Sequence, residues 1–152
     1  MSDPVEKARV FCVAAHQSIG QKRKYTNEPY YIHPFNVASI VDIIGGDSSM
    51  IAVAYLHDVL EDTFVTIEDI RSYFGSWISM LVYELTDISK PEDGNREVRK
   101  KIDRIHTKYA SHYAKTIKLA DLIDNSRSIM KHDPDFYKVY LREKRLLLDE
   151  AL

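Results

Sequence analysis

The chain has 152 residues, 45% hydrophobic and 29% charged, a balance that suits one globular domain with a sizeable core. A formal net charge of -2 excludes the global basic field that drives non-specific nucleic-acid binding, so an anionic ligand needs a local basic cluster. The single Cys12 excludes an intramolecular disulfide and a multi-cysteine metal site, and no apolar run approaches the ~18 residues of a membrane span.

The N-terminal Met1-Ser2-Asp3-Pro4-Val5-Glu6-Lys7 lacks the basic-then-apolar layout of a signal peptide, so the cytoplasm is the expected compartment. From there the periodicity is helical. Val5, Ala8, Val10, Phe11, Ala14 and Ala15 form a one-sided stripe, with Asp3-Pro4 as cap and first turn. Cys12 lies in this stripe and reads as a buried, inert thiol. Residues 20–29 form a polar loop carrying Lys22, Arg23 and Lys24. A second helix starts at His33-Pro34 and stops at Gly45-Gly46. Asp47 or Ser48 caps a third, strongly apolar helix that runs to about residue 59. Thr66 and Asp69 resemble a capping box for a short helix ending near Gly75, and 76–85 is a further apolar stretch. After a turn-rich loop over 87–94, helices are expected over 95–109, 111–130 and from Asp133-Pro134 onward. No alternating strand, repeat or linker interrupts them. The expected fold is all-α, a single compact bundle of about seven to eight helices spanning residues 1–152.

Chemistry concentrates in three segments. His33 lies in Tyr30-Tyr31-Ile32-His33-Pro34, His57-Asp58 in Leu56-His57-Asp58-Val59-Leu60-Glu61-Asp62-Thr63, and Asp121 in Lys118-Leu119-Ala120-Asp121. Two imidazoles and two carboxylates set in apolar surroundings are costly to bury without a cation. Mixed nitrogen and oxygen donors suit Mn, Fe, Zn, Co or Ni better than Mg or Ca. On a continuing helix, His57 would share a face with Glu61, and Asp58 with Glu61 and Asp62. Adjacent His and Asp diverge by about 100° on such a helix, so both reach one ion most easily where a helix ends. The implied chemistry is activation of water for attack on phosphorus. His16, His106, His112 and His132 read as surface or packing residues.

These segments resemble the HD-domain phosphohydrolase superfamily, named for its adjacent metal-binding His and Asp. More narrowly they resemble the hydrolase domain of the RelA/SpoT alarmone enzymes and the stand-alone small alarmone hydrolases of stringent-response (p)ppGpp metabolism. The matching strings are 20–24, 28–34, 56–63, Phe74-Gly75, 118–121 and Asn125-Ser126-Arg127. The resemblance implies an HD domain whose metal, usually Mn²⁺, is held by His33, His57, Asp58 and Asp121. It implies that Glu61 and Asp62 position and activate the attacking water. It also implies that Arg23 and Lys24 contact the nucleotide, with Asn125 and Arg127 beside the ribose and base. The family reaction releases pyrophosphate from the 3′ position of guanosine tetra- or pentaphosphate.

This chain departs from the family pattern in three places. The loop Arg23-Lys24-Tyr25-Thr26-Asn27-Glu28-Pro29-Tyr30 is one residue longer than usual, with Tyr25 where a small residue is common. Asp121 is followed by Leu122-Ile123-Asp124 where Arg-Leu-His is usual. The mid-chain Thr-Lys reads Thr86-Asp87. Arg96 and Arg99 stand as additional phosphate-binding cations or as a charged helix face. The expectation is therefore a metal-dependent nucleotide 3′-pyrophosphohydrolase, guanosine or adenosine type, with a small-molecule nucleotide as partner and neither nucleic acid nor membrane. Another divalent transition metal and a homo-oligomer stay open. The alternatives are an HD-type phosphatase or phosphodiesterase on a nucleotide such as a deoxynucleoside monophosphate, and a non-catalytic nucleotide-binding module.

Overall fold

A computed structural model describes residues 3–152. The first helix, α1 (Pro4–Ser18), begins where Asp3 Oδ1 accepts the Val5 amide at 3.0 Å and Pro4 fills the first turn. A loop leads to α2 (Ile32–Ile43), with His33 and Pro34 in its first turn. The third helix, α3 (Ser48–Leu56), is capped by Asp47, which accepts the Met50 amide at 2.9 Å. It ends three residues earlier than its apolar pattern predicts. The chain turns at His57-Asp58 and restarts as the short α4 (Val59–Asp62).

The Thr66–Asp69 capping box opens α5 (Ile67–Leu85). As the sequence suggests, two helical segments meet at Gly75, whose backbone is non-helical (φ 86°, ψ 172°) and kinks the element there. A 3₁₀ turn (Pro91–Asp93) precedes α6 (Arg96–Lys108), α7 (His112–His132) and α8 (Pro134–Glu150), capped by Asn95, Ser111 and Asp133. Among the described residues there is no strand, only one antiparallel bridge between Lys22 and Pro29.

Helix α3 is the axis of the fold. Met50, Ala52, Val53, Ala54 and Leu56 are all buried, because α1, α2, α5 and α7 pack around it. Around them lie Val37, Val41, Ile70, Leu81, Val82 and Ile117. Each fully buried Leu or Ile side chain contributes ~1.5–3 kcal/mol by leaving water. α8 packs on α7 and α6 and adds a small second cluster of Leu122, Leu147 and Ala151. No helix is long and apolar enough to cross a membrane.

Gly75 occupies a backbone region that is essentially restricted to glycine, and a Cβ placed there meets nothing within 4 Å. A substitution therefore costs conformational energy alone. Gly75→Ala is expected to lower unfolding stability by about 1–3 kcal/mol, read as a lower urea midpoint at unchanged slope. An unchanged midpoint would mean that the kink is not fixed by the glycine.

Candidate functional site

The early end of α3 creates the site. His57 Nδ1 lies 2.7 Å from the Ala54 carbonyl oxygen. A carbonyl only accepts, so the proton sits on Nδ1 and the other ring nitrogen is aimed inward. That atom, Nε2, is buried without a hydrogen-bond partner. The turn carries Asp58 round to the same point, with Oδ2 3.1 Å from His57 Nε2 and 3.7 Å from His33 Nε2. A continuous helix would have splayed the two side chains apart.

His33 reaches this point from the first turn of α2, and its side chain is fully buried. Its Nε2 lies 2.9 Å from Asp121 Oδ1, which is 3.6 Å from His57 Nε2. Asp121 comes from the middle of α7. The Lys118 ammonium donates to its Oδ2 at 2.9 Å, and the Asn125 amide donates to its Oδ1 at 2.8 Å. Tyr30 donates its hydroxyl to Asp58 Oδ2 at 2.7 Å. The four residues predicted as ligands thus converge from the start of α2, the α3–α4 turn and the centre of α7.

Charge stabilises charge here. Burial favours the neutral form of Asp58, but His57 outweighs it and holds the carboxyl well below the usual range. Burial also opposes ionisation of Asp121, where Lys118 and the two imidazoles prevail. His33 and His57 rise above the ordinary imidazole value because neighbouring carboxylates outweigh their own desolvation. The Tyr30 hydroxyl is pushed upward by burial and then by Asp58, so it stays a donor.

The donor set fits a divalent transition metal. His33, His57 and Asp58 offer ligand atoms within 4.8 Å of one another, and Asp121 Oδ1 adjoins both ring nitrogens. His57 Nε2 makes no aligned hydrogen bond although Asp58 Oδ2 lies 3.1 Å away, a geometry that suits an ion shared between them. Two imidazoles and two carboxylates, without thiolate, match Mn or a neighbouring divalent ion. Cys12 is buried elsewhere in the core; burial raises its thiol to about 12, so it remains an inert hydrophobe.

The predicted catalytic pair sits at the rim. Glu61 accepts the Asp87 backbone amide and faces a cavity of about 350 Å³ that Arg96, Arg99 and Lys100 also line. Surrounding protein pushes its carboxyl upward, with Asp87 and Asp58 adding to the shift, although water at the rim screens part of this. Asp62 accepts from the Gln21 amide at 3.2 Å and is also raised, by burial and then by Asp58.

Of the two cations in doubt, Arg96 is occupied by a two-pronged pair with Glu143, at 2.6 and 3.0 Å. Arg99 keeps a buried Nε without a partner. Beside Asp121 a smaller cavity of about 100 Å³ is lined by Lys100, Lys118, Asn125 and Lys144. Burial, with Lys118 and Lys100 adding repulsion, lowers the Lys144 ammonium to about 8.

Arg23, Lys24, Tyr25, Tyr30, Asn125 and Phe136 line a pocket of about 210 Å³. This loop closes through a tight turn, with Asn27 at φ 58° and the Arg23 amide bonded to the Glu28 carbonyl at 2.8 Å. Tyr25 stacks on His132 at 5.7 Å and bonds Asp133, so it forms a fixed wall. Arg127, the fourth residue expected at the nucleotide, lies apart from this pocket. It lies about 200° round α7 from Asn125 and lines a separate apolar groove between α7 and α8, with Leu119, Ile123 and Tyr137.

Sequence reasoning missed Tyr30, Asp103 and Lys144, and it read Asp124 only as a departure in the nucleotide pocket. Tyr30 lay inside a quoted motif, three residues before His33, which was a usable signal. Asp103 had no signal. It is buried and accepts the Ile88 and Ser89 amides at 3.0 and 2.9 Å, shaping the loop that presents Asp87 to Glu61. Lys144 reaches the site only because α8 folds back across α6 and α7.

The match to the HD domain family covers residues 8–145. The chain is 36% identical over 128 residues to guanosine-3′,5′-bis(diphosphate) 3′-pyrophosphohydrolase MESH1 of Xenopus tropicalis, covering 80% of this chain and 68% of that protein. It is 32% identical over 128 residues to guanosine-3′,5′-bis(diphosphate) 3′-pyrophosphohydrolase of Aquifex aeolicus, covering 84% of this chain but only 18% of that one. A probable enzyme of the same name from Synechocystis is 45% identical over 82 residues, covering 54% of this chain and 11% of that longer protein. A solved structure described as a metazoan ortholog of SpoT that hydrolyses ppGpp superposes with a TM-score of 0.85 at 28% identity, over 99% of this chain and 86% of that one. With the two imidazoles and two carboxylates gathered on the helical frame that the match spans, this chain belongs to the HD domain family.

Proposed function

We propose that this protein is a cytoplasmic, Mn²⁺-dependent pyrophosphohydrolase that removes the 3′-pyrophosphate of a (p)ppGpp-type alarmone, with guanosine or adenosine as the nucleoside. One observation carries the reading: a buried, unpartnered His57 Nε2 faces Asp58, His33 and Asp121 at the floor of a cleft with carboxylates and cations at its rim. The similarity to MESH1 and the Aquifex enzyme supplies the substrate class.

His33, His57, Asp58 and Asp121 would hold the ion, which when bound supplies Lewis-acid activation of water and phosphate. The chain's own groups do the rest. Glu61 accepts a proton from the attacking water, since its raised carboxyl exchanges protons nearer neutrality than an ordinary one. Asp62, fixed by Gln21, orients that water. Water oxygen adds to the phosphorus attached to O3′, the P–O3′ bond breaks, and the nucleotide 3′-hydroxyl and pyrophosphate result. Lys100, Lys118 and Lys144 offer positive charge to the phosphates, and Arg99 joins them from α6. Arg23 and Lys24 grip the nucleotide, and the Tyr25 and Phe136 rings wall the base pocket.

The first test is pyrophosphate release from guanosine and adenosine 3′-pyrophosphates after chelation, with and without added Mn²⁺. Metal-dependent release is expected, and the ratio between bases reads out the Tyr25 pocket. Phosphate release from a deoxynucleoside monophosphate alone would move the protein to the phosphatase alternative, and no turnover of any nucleotide would leave a binding module.

His57→Ala and Asp58→Ala are expected to lose Mn²⁺ and activity together. Glu61→Gln should keep the ion while kcat falls by about 10²–10⁴-fold, the range for a lost general base; full activity in that variant would remove Glu61 from the role. Arg23→Ala should raise KM several-fold with a smaller effect on kcat, and an unchanged KM would take the loop out of substrate binding.

A further inference from the structure

The two histidines of the site are held by different means. The His57 Nδ1 proton is fixed by a backbone carbonyl that no substitution removes. The His33 ring is instead gripped by two side chains of α7, one turn apart. Asp121 Oδ1 lies 2.9 Å from Nε2, and Asp124 Oδ2 lies 2.7 Å from Nδ1. Asp124 is itself constrained. The Asn36 amide donates to its Oδ1 at 3.0 Å, which turns Oδ2 toward the ring, and the Arg23 guanidinium lies 3.6 Å from that same Oδ2. His33 is fully buried, and Asp124 and Arg23 are each 12% exposed, so the chain of contacts is shielded from bulk water.

We propose that Asp124 is a positioning residue that sets the His33 tautomer for metal binding and ties this ligand to the nucleotide loop through Arg23. The argument rests on the metal-site reading above. A neutral imidazole has one N–H and one lone pair, so His33 presents Nε2 to an ion only when its proton resides on Nδ1. An ionised carboxylate is an acceptor only, so Asp124 keeps a proton on Nδ1, and Nε2, which faces the expected ligand Asp121, is the nitrogen left to share with an ion. An acceptor behind a ligating imidazole also fixes the ring plane and makes the nitrogen a better donor. Because Oδ2 meets both His33 and Arg23, the loop that grips the nucleotide and the ligand that grips the ion share one anchor.

The test is Mn²⁺ titration of the chelated full chain by calorimetry, with wild type, Asp124→Ala, Asp124→Leu and Asp124→Asn side by side. The two non-accepting variants should bind Mn²⁺ about 10–100-fold more weakly, the range for a lost partner behind a ligand. The Asn variant keeps an acceptor oxygen and should recover part of the loss, which a purely structural tie between helices would not predict. Leu shares the branched outline of Asp without its acceptors and carries the comparison if the Ala variant does not fold. The link to the loop is read from KM: Arg23→Ala should raise KM less in the Asp124→Asn background than in wild type, because contacting residues are non-additive.

Wild-type affinity in both Asp124→Leu and Asp124→Asn would overturn the positioning role while leaving the metal reading intact. Additive effects on KM would overturn the link to Arg23. A wild-type chain that binds no Mn²⁺ would overturn both this proposal and the metal site on which it rests.

Discussion

Two imidazoles and two carboxylates occupy a volume in which their facing atoms lie 2.9 to 3.7 Å apart, and the rest of the protein is arranged around keeping them there. Such a cluster cannot be buried in oil. Each charge taken out of water must find an opposite charge or a hydrogen bond. Lys118 and Asn125 serve Asp121, Tyr30 serves Asp58, Asp124 serves His33, and the Ala54 carbonyl serves His57. What these contacts leave over is one ring nitrogen that lies 3.1 Å from Asp58 Oδ2 without an aligned hydrogen bond, and that remainder argues for a shared cation.

Helix geometry decides which residues can share the work. Along α7, Lys118, Asp121 and Asn125 fall on one face because they are three and four residues apart. Arg127, two residues farther on, falls on the opposite side and joins a groove with α8. At the end of α3 the constraint works in reverse. Neighbouring residues on a helix diverge, so His57 and Asp58 can converge only because the helix stops at Leu56 and the chain turns.

The rim divides by charge. Glu61 and Asp62 bring carboxylates from α4, while Lys100, Lys118, Lys144 and Arg99 bring cations from α6, α7 and α8. A phosphate chain would lie toward the cations, and a water awaiting deprotonation would lie toward the carboxylates. Lys144 is held near its lowered value by burial and by its like-charged neighbours, a repulsion that an arriving phosphate would relieve. The pocket beside Arg23 and Lys24 is closed by Tyr25 and Phe136, whose positions depend on the junction between α7 and α8 rather than on the loop alone.

By itself the sequence determined the helical class, most caps and the chemical identity of the four polar groups that the core gathers. Asp3, Asp47, Thr66 with Asp69, and Ser111 act through hydrogen bonds to residues two or three positions away, so their effect is written locally. His33, His57, Asp58 and Asp121 were legible because charged or polar groups inside apolar segments need a reason to be buried. Tertiary structure alone decided where α3 would break, that Arg96 would be consumed by Glu143 while Arg99 kept a bare nitrogen, and that Asp103 would staple the 87–90 loop. It also brought Asp124 behind His33 across 91 positions and Lys144 beside Lys118. Contacts between residues that far apart follow from how helices cross in the packed core, and neither periodicity nor capping along one segment carries that information.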